Sequence, residues 1–105
     1  MTRKNRLKAK ILPYSKHMAA IADVSRMSVL FILAHGPQDV REIMAITGLS
    51  PALLSHHMSI LLKEGWVRKS KFGKRVEYVM ETKAFFVLER LFRDTMVGKE
   101  IFPGK

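Results

Sequence analysis

The feature that most constrains the fold of this chain is an abrupt change of hydrophobic period at Gly65. Before Gly65, apolar residues recur at the spacing of one helix face, as Leu54, Met58 and Leu61. Ser50 can accept a hydrogen bond from a free backbone N–H at the start of such a helix, and Pro51 suits its first turn. Gly65 itself is typical of a left-handed helix stop. The pattern predicts a helix over residues 50–65 with a buried Leu/Met face.

After Gly65 the hydrophobic period becomes two, which is the period of a strand. Val76, Tyr78 and Met80 fall on one face of such a strand. Gly73 lies between two basic runs and supplies the positive φ that a tight hairpin needs. We therefore expect a two-stranded hairpin over residues 66–80. A helix followed directly by a cationic hairpin is typical of a recognition helix and a wing.

The remaining face of the 50–65 helix is predicted to be exposed, and it carries no carboxylate. Its residues are small, polar or basic: Ala52, Ser55, His56, Ser59 and Lys63. Short side chains let a backbone approach base edges, and Ser and His can hydrogen-bond to them. The hairpin adds cations that can contact phosphates: Arg68, Lys69, Lys71, Lys74 and Arg75. Both surfaces favour nucleic-acid binding over the alternative, in which these charges only maintain solubility.

The composition agrees with an anionic partner. Nineteen Lys/Arg against nine Asp/Glu give a net charge of +10 in 105 residues, a length that predicts one domain over residues 1–105. The absence of cysteine excludes disulfides and thiolate metal sites. The longest apolar run, residues 29–34, is too short to cross a membrane, and the basic N-terminus is not followed by a signal-like apolar region. We expect a cytoplasmic protein without membrane association.

The first half of the chain predicts further helices. Residues 1–14 are expected to form a basic arm, which either frays in solvent or follows DNA. A short helix is predicted over residues 15–22, with Met18 and Ile21 facing the core or a partner subunit. Asp23 is expected to cap a buried helix that runs to residue 35. Its inward residues are predicted to be Met27, Leu30, Phe31 and Ala34.

Asp39 and Glu42 together predict the start of a third helix. Gly48 ends that helix two residues before Ser50, and two short helices joined by a tight glycine turn are typical of a helix-turn-helix. The fold class is therefore mainly α with a small β-hairpin, a winged helix-turn-helix of about five helices and a two-stranded wing.

The last predicted helix, residues 82–96, has an apolar surface wider than one small core needs. Its stripe consists of Phe85, Leu88, Leu91 and Phe92. We expect a subunit contact and hence a homodimer, with packing inside one chain as the alternative. The segment after Met96 shows no clear pattern, and no element is predicted there.

Three strings between residues 20 and 82 are together similar to one known family. IADVSRMSVLFILAHG resembles its opening motif, DVREIMAITGLSPALLSHHMSILLKEGWV its helix-turn-helix, and VRKSKFGKRVEYVM its wing. The family is the ArsR/SmtB group of winged-helix repressors. The resemblance implies a homodimer held by the first and last helices on a palindromic operator, with recognition helices in successive major grooves about 34 Å apart. It also implies DNA contacts from Ser50, Pro51, Ala52, Ser55 and His56.

Sensing is where the chain departs from that family. Family metal sites use cysteines near the third helix or carboxylate and histidine pairs on the last helix, whereas residues 82–105 contain no histidine. The four histidines show no ligand spacing, and His57 is expected to be partly buried beside the Leu/Met stripe. We predict no metal site, no cofactor and no enzymatic activity, and the sequence does not identify an effector. Two alternatives to a sequence-specific regulator stay open: a non-specific architectural DNA-binding protein and a winged-helix protein-interaction module.

Overall fold

The computed structural model describes residues 2–97, which form five helices and three strands. The helices are α1 (Arg3–Ala19), α2 (Val24–Leu33), α3 (Val40–Thr47), α4 (Pro51–Lys63) and α5 (Ala84–Val97). The strands are β1 (Gln38–Asp39), β2 (Val67–Phe72) and β3 (Arg75–Met80). The predicted winged helix-turn-helix with five helices is confirmed, and the segment after residue 97, for which no element is predicted, lies outside the described residues.

The wing is part of a three-stranded antiparallel sheet in the order β1-β3-β2, so the prediction of two strands missed one. Phe72 pairs with Arg75 across the hairpin, which leaves Gly73 and Lys74 as its two-residue turn. Gly73 has a φ of 61°, at the position where a type II′ hairpin requires glycine. β1 contains only two residues, of which Gln38 pairs with Tyr78. A two-residue strand is too short to show a period in the sequence.

Three polar side chains begin helices as the sequence predicts. Asp23 accepts a hydrogen bond from the Arg26 backbone N–H at 3.0 Å, and Asp39 accepts one from the Arg41 N–H at 2.7 Å. The Ser50 hydroxyl accepts from the Leu53 N–H at 3.2 Å. Each of these bonds satisfies a donor that has no partner within its own helix. The starts of α2, α3 and α4 are therefore fixed by local sequence.

The core lies between α2, α3, α4 and the sheet. Its most deeply buried large side chains are Trp66, Ile43, Leu54, Met58, Leu61 and Val29. The predicted Leu/Met face of α4 is confirmed by this set. At the end of α4, the N–H groups of Gly65 and Trp66 donate to the carbonyl oxygens of Leu62 and Leu61. This Schellman arrangement ends the helix and directs the Trp66 indole into the core.

The predicted inward face of α2 is wrong in direction. Phe31 is 70% exposed, Met27 is 44% exposed and Ala34 is also exposed, whereas Leu30 is buried with two neighbours that the prediction placed elsewhere, Val29 and Leu33. α2 is apolar on nearly all sides, so its periodicity does not indicate one face. Its orientation is set by packing against α3, α4 and β3.

The segment predicted to be a basic arm, residues 1–14, belongs almost entirely to α1. The Thr2 hydroxyl caps this helix by accepting from the Asn5 N–H at 3.1 Å, and the helix continues through Pro13 to Ala19. The separate helix predicted over residues 15–22 is therefore wrong at both ends. Proline removes one helical hydrogen bond, and α1 nevertheless runs through Pro13 without a break.

Taken singly, no helix within residues 2–97 is both long enough and apolar enough to cross a membrane.

Candidate nucleic-acid interface

The helix-turn-helix consists of α3 and α4, whose axes are bent by 110° at the connection. Gly48 makes this connection in a left-handed conformation with a φ of 72° and donates its N–H to the Met44 carbonyl oxygen. An angle of about 90–120° and a short glycine turn are typical of this motif. α4 is therefore the second helix of the motif, the one that the sequence predicts to be its recognition helix.

The outer face of α4 is exposed over its whole length. The residues that the sequence and the family resemblance assign to DNA contact on this face and at its N-terminal end lie in solvent: Ser50, Pro51, Ala52, Ser55, His56, Ser59 and Lys63. The face has no carboxylate that would repel a phosphate backbone. It also contains a residue that the sequence reasoning missed, Leu53, which is 53% exposed in the first turn. Leu53 lies three residues before His56, and residues three apart share a helix face, so this spacing could have identified Leu53 as part of the outer face.

His57 is turned inward and connects α4 to the start of α2. The Arg26 guanidinium donates to His57 Nδ1 at 3.0 Å, and its Nε donates to the Ala20 carbonyl oxygen at 2.6 Å. Because a guanidinium has no acceptor, Nδ1 must present its lone pair. The Asp23 carboxylate, 3.9 Å from the same Nδ1, does not form an ion pair in this arrangement. The Arg26 backbone N–H and guanidinium lower the pKa of Asp23.

The cations of the wing fall into two groups. Arg68 Nε donates to Glu81 at 2.8 Å, and Arg75 Nε lies 3.6 Å from the Asp39 carboxylate. Lys69, Lys71 and Lys74 are exposed and make no ion pair within residues 2–97. Lys69 Nζ lies 5.9 Å from the centroid of the Tyr78 ring. All five predicted phosphate contacts are therefore on the surface, but only the lysines are free of carboxylate partners in this part of the chain.

Asp39 holds the base of the wing to the helix-turn-helix. The hydrogen bond from the Arg41 backbone N–H, with the charges of Arg41 and Arg75 nearby, lowers the pKa of this carboxyl. The same residue caps α3 and pairs with Glu77 in the sheet. A single residue thus connects the start of α3 to strand β3.

A second surface is formed where α1 lies against α5. The Tyr14 hydroxyl donates to Asp94 at 2.8 Å, and Lys10 Nζ lies 3.5 Å from the same carboxylate. The bond from Tyr14 and the charge of Lys10 lower the pKa of Asp94. Partial burial and the bond to Asp94 raise the pKa of Tyr14. These contacts fix the two helices side by side.

The six residues assigned to dimerisation divide between surface and core. Met18, Phe85 and Phe92 are exposed, whereas Ile21 and Leu88 pack against the core of their own chain. Leu91 is half-buried. Ala84 and Leu88 of α5 thus contribute to the core, whereas Phe92 and Met96 further along the helix are exposed.

In the described part of the chain, no three histidine, aspartate or glutamate side chains lie close enough together to hold a metal ion. The most buried histidine is His17 in α1, which is 6% exposed. Its burial is not evident from the sequence, because its contacts come from residues 47 and 67 positions away.

Comparison with known proteins identifies the family. The family model "Bacterial regulatory protein, arsR family" matches residues 23–69, which span α2, the helix-turn-helix and the start of the wing. The solved structure of reduced HlyU from Vibrio cholerae is 30% identical, with a TM-score of 0.61; the match covers 86% of this chain and 90% of that one. The chain belongs to the arsR family of bacterial regulatory proteins.

Other solved structures agree with membership of the arsR family. An ArsR family transcriptional regulator is 25% identical with a TM-score of 0.73, and the match covers 84% of this chain and 91% of that one. A winged helix-turn-helix domain from Mycobacterium bovis, described as homodimeric and DNA-binding, has the same fold at 20% identity and a TM-score of 0.68, with 95% and 94% of the two chains covered. No match was found among curated proteins. This chain is thus an ArsR-family transcriptional regulator with a winged helix-turn-helix fold.

Proposed function

We propose that this ArsR-family regulator recognises one palindromic DNA operator as a homodimer and represses transcription by occupying it. The observation that carries the proposal is the exposed face of α4. Its side chains are short or basic and include no carboxylate, while the opposite face is buried in the core. A helix of this kind can enter a major groove without repelling the backbone.

Within this proposal, the two surfaces have different tasks. Ser55 and His56 supply hydrogen bonds to base edges, and the exposed Leu53 offers an apolar contact for a thymine methyl group. The wing lysines contact phosphates, which adds affinity without sequence preference. The Ser50 hydroxyl already accepts the cap bond from Leu53, so it retains its own hydrogen for a phosphate oxygen.

The dimer is supported by the apolar surface that one chain leaves uncovered. α1 contains 17 residues, of which only His17 is buried. The exposed apolar side chains of the two helices are Leu7, Ile11, Leu12, Met18, Phe85, Phe86, Phe92 and Met96. A second copy can cover both helices, and the homodimeric domain from Mycobacterium bovis shares this fold.

The test is to select bound fragments from random DNA with the full chain at two salt concentrations. We expect one symmetric sequence to be enriched at both concentrations, with total binding falling steeply as salt rises. Equal recovery of all fragments with the same salt dependence would instead identify an architectural DNA-binding protein. If no fragment is retained even at low salt, the basic face serves an acidic protein partner.

A further inference from the structure

His17 is a buried polar residue at the point where three elements meet. Its Nδ1 lies 3.0 Å from the Glu64 carbonyl oxygen at the end of α4, and its Nε2 lies 2.9 Å from the Ala84 carbonyl oxygen at the start of α5. Its own carbonyl oxygen accepts from Trp66 Nε1 at 2.8 Å. The His17 residue thus links α1 to both ends of the segment that contains the wing.

Both ring contacts of His17 are made to acceptors. A carbonyl oxygen has no hydrogen to give, so each ring nitrogen must donate for both bonds to form. The neutral imidazole has one N–H and can satisfy only one of them. Only the imidazolium, with a hydrogen on each nitrogen, satisfies the two contacts together.

The surroundings of the ring suit a cation. The ring stacks on the Trp66 indole with centroids 4.3 Å apart and an interplanar angle of 19°, and the face of an indole attracts positive charge. The Glu64 carbonyl lies at the negative end of the α4 dipole. No ion pair joins His17 to a carboxylate among the described residues. The charged side chains flanking its contacts are Lys16 on α1, Lys63 and Glu64 at the end of α4, and Lys83 before α5.

We propose that His17 is a positioning residue for DNA binding: its imidazolium donates from both ring nitrogens and so fixes the end of the recognition helix to α1 and α5. A ring that carries only one hydrogen makes only one of these two contacts. The recognition helix is then held less firmly against α1 and α5. The proposal rests on the proposed function in one respect, that α4 reads DNA.

The first experiment measures the protonation of the ring in the unsubstituted full chain. Long-range ¹H–¹⁵N correlation spectra, assigned through the backbone, distinguish a ring nitrogen that carries hydrogen from one that carries a lone pair. At about pH 6 we expect both His17 nitrogens to carry hydrogen, because both of them face carbonyl oxygens. One unprotonated nitrogen at that pH overturns the proposal, and this result does not depend on DNA binding or on the folding of a variant.

The second experiment compares operator affinity at about pH 6 and about pH 9. His17→Gln is the test variant, and His35→Gln is the control because His35 is exposed and contacts only the Phe31 carbonyl of its own helix. For each protein, the measured quantity is the factor by which operator affinity falls between the two pH values. This factor should be about threefold larger for the unsubstituted protein and for the control than for His17→Gln, as expected for one hydrogen bond. His56 and His57 are present in all three proteins, so their contribution cancels.

Two results separate failure of the inference from failure of the proposed function. If His17→Gln keeps the full pH dependence of operator affinity, His17 does not position the recognition helix through its protonation. If no protein binds any DNA fragment, the proposed function is wrong and α4 has no DNA to be positioned for, whereas the spectra still decide the protonation of His17.

Discussion

Replacing single wing cations should show which of them contact phosphates. The structure separates Lys71, which has no carboxylate partner within the described residues, from Arg68, which donates to Glu81 at 2.8 Å. On a phosphate, Lys71 releases a counterion at no other cost. Arg68 must first break its contact with the Glu81 carboxylate, and the substitution Arg68→Ala leaves that carboxylate exposed to the DNA. We therefore expect Lys71→Ala and Arg68→Ala to differ in the salt dependence of DNA binding.

The size of the difference follows from counterion release. The logarithm of the binding constant falls with the logarithm of salt concentration by about 0.9 per neutralised phosphate. A homodimer carries two copies of Lys71, so Lys71→Ala should reduce the slope by about 1.8. Between about 50 and 200 mM salt, the loss of affinity should then be roughly twelvefold smaller than in the parent protein. Arg68→Ala should change the slope by less than half as much.

The assay is fluorescence anisotropy with one labelled operator and one unrelated duplex at five or more salt concentrations. Lys71→Ala should weaken both duplexes by the same factor at each concentration, since phosphates carry no sequence information. Lys74→Ala repeats the test at the hairpin turn, and Arg75→Ala repeats the control, because Arg75 lies beside Asp39. Equal slopes for the lysine and arginine variants would refute the distinction between free and paired cations.

Four further substitutions test the remaining surfaces. Ser55→Ala and His56→Ala should each reduce the preference for operator over competitor DNA by about 1–3 kcal/mol for each base that the side chain reads, measured by competition binding. Phe92→Asp on α5 should shift sedimentation towards monomer and weaken operator binding, whereas Phe31→Asp, equally exposed but on α2, should remain dimeric. The pKa of Asp94 is lowered in the folded chain, so its stabilising contribution is present above about pH 4 and is lost as the pH falls further. In Asp94→Asn, the urea concentration at the midpoint of unfolding should therefore decrease less between neutral and acidic pH than it does in the parent protein.

The features that the sequence predicts well are those decided within one helical turn. Asp23, Asp39 and Ser50 each accept a hydrogen bond from a backbone N–H two or three residues later. The buried face of α4 is similarly local, because the helix itself brings Leu54, Met58 and Leu61 to one side. In these cases the contact partners are already close in the sequence, so a pattern of residue types is sufficient.

The features that the sequence does not predict depend on distant partners. β1 exists because Gln38 pairs with Tyr78, forty positions away, and two residues alone carry no strand signal. The pattern places Phe31 in the core because α2 is apolar on most sides, and only the positions of α3, α4 and β3 determine which side is covered. The exposed Leu53 is missed for the same reason, since the sequence alone does not show which apolar side chains outside the main stripe stay uncovered.

The histidines illustrate the same limit at the level of chemistry. In the sequence, His17 and His57 are residues without ligand spacing. In the fold they hold the recognition helix in opposite hydrogen-bonding roles: His57 accepts from Arg26 through Nδ1, whereas both nitrogens of His17 face carbonyl oxygens. His57 thus acts as a hydrogen-bond acceptor near the middle of α4, and His17 acts as a double donor near the end of α4. Because the two roles require different ring hydrogens, a hydrogen on Nδ1 of His57 or a missing hydrogen on either nitrogen of His17 would each remove one contact of α4.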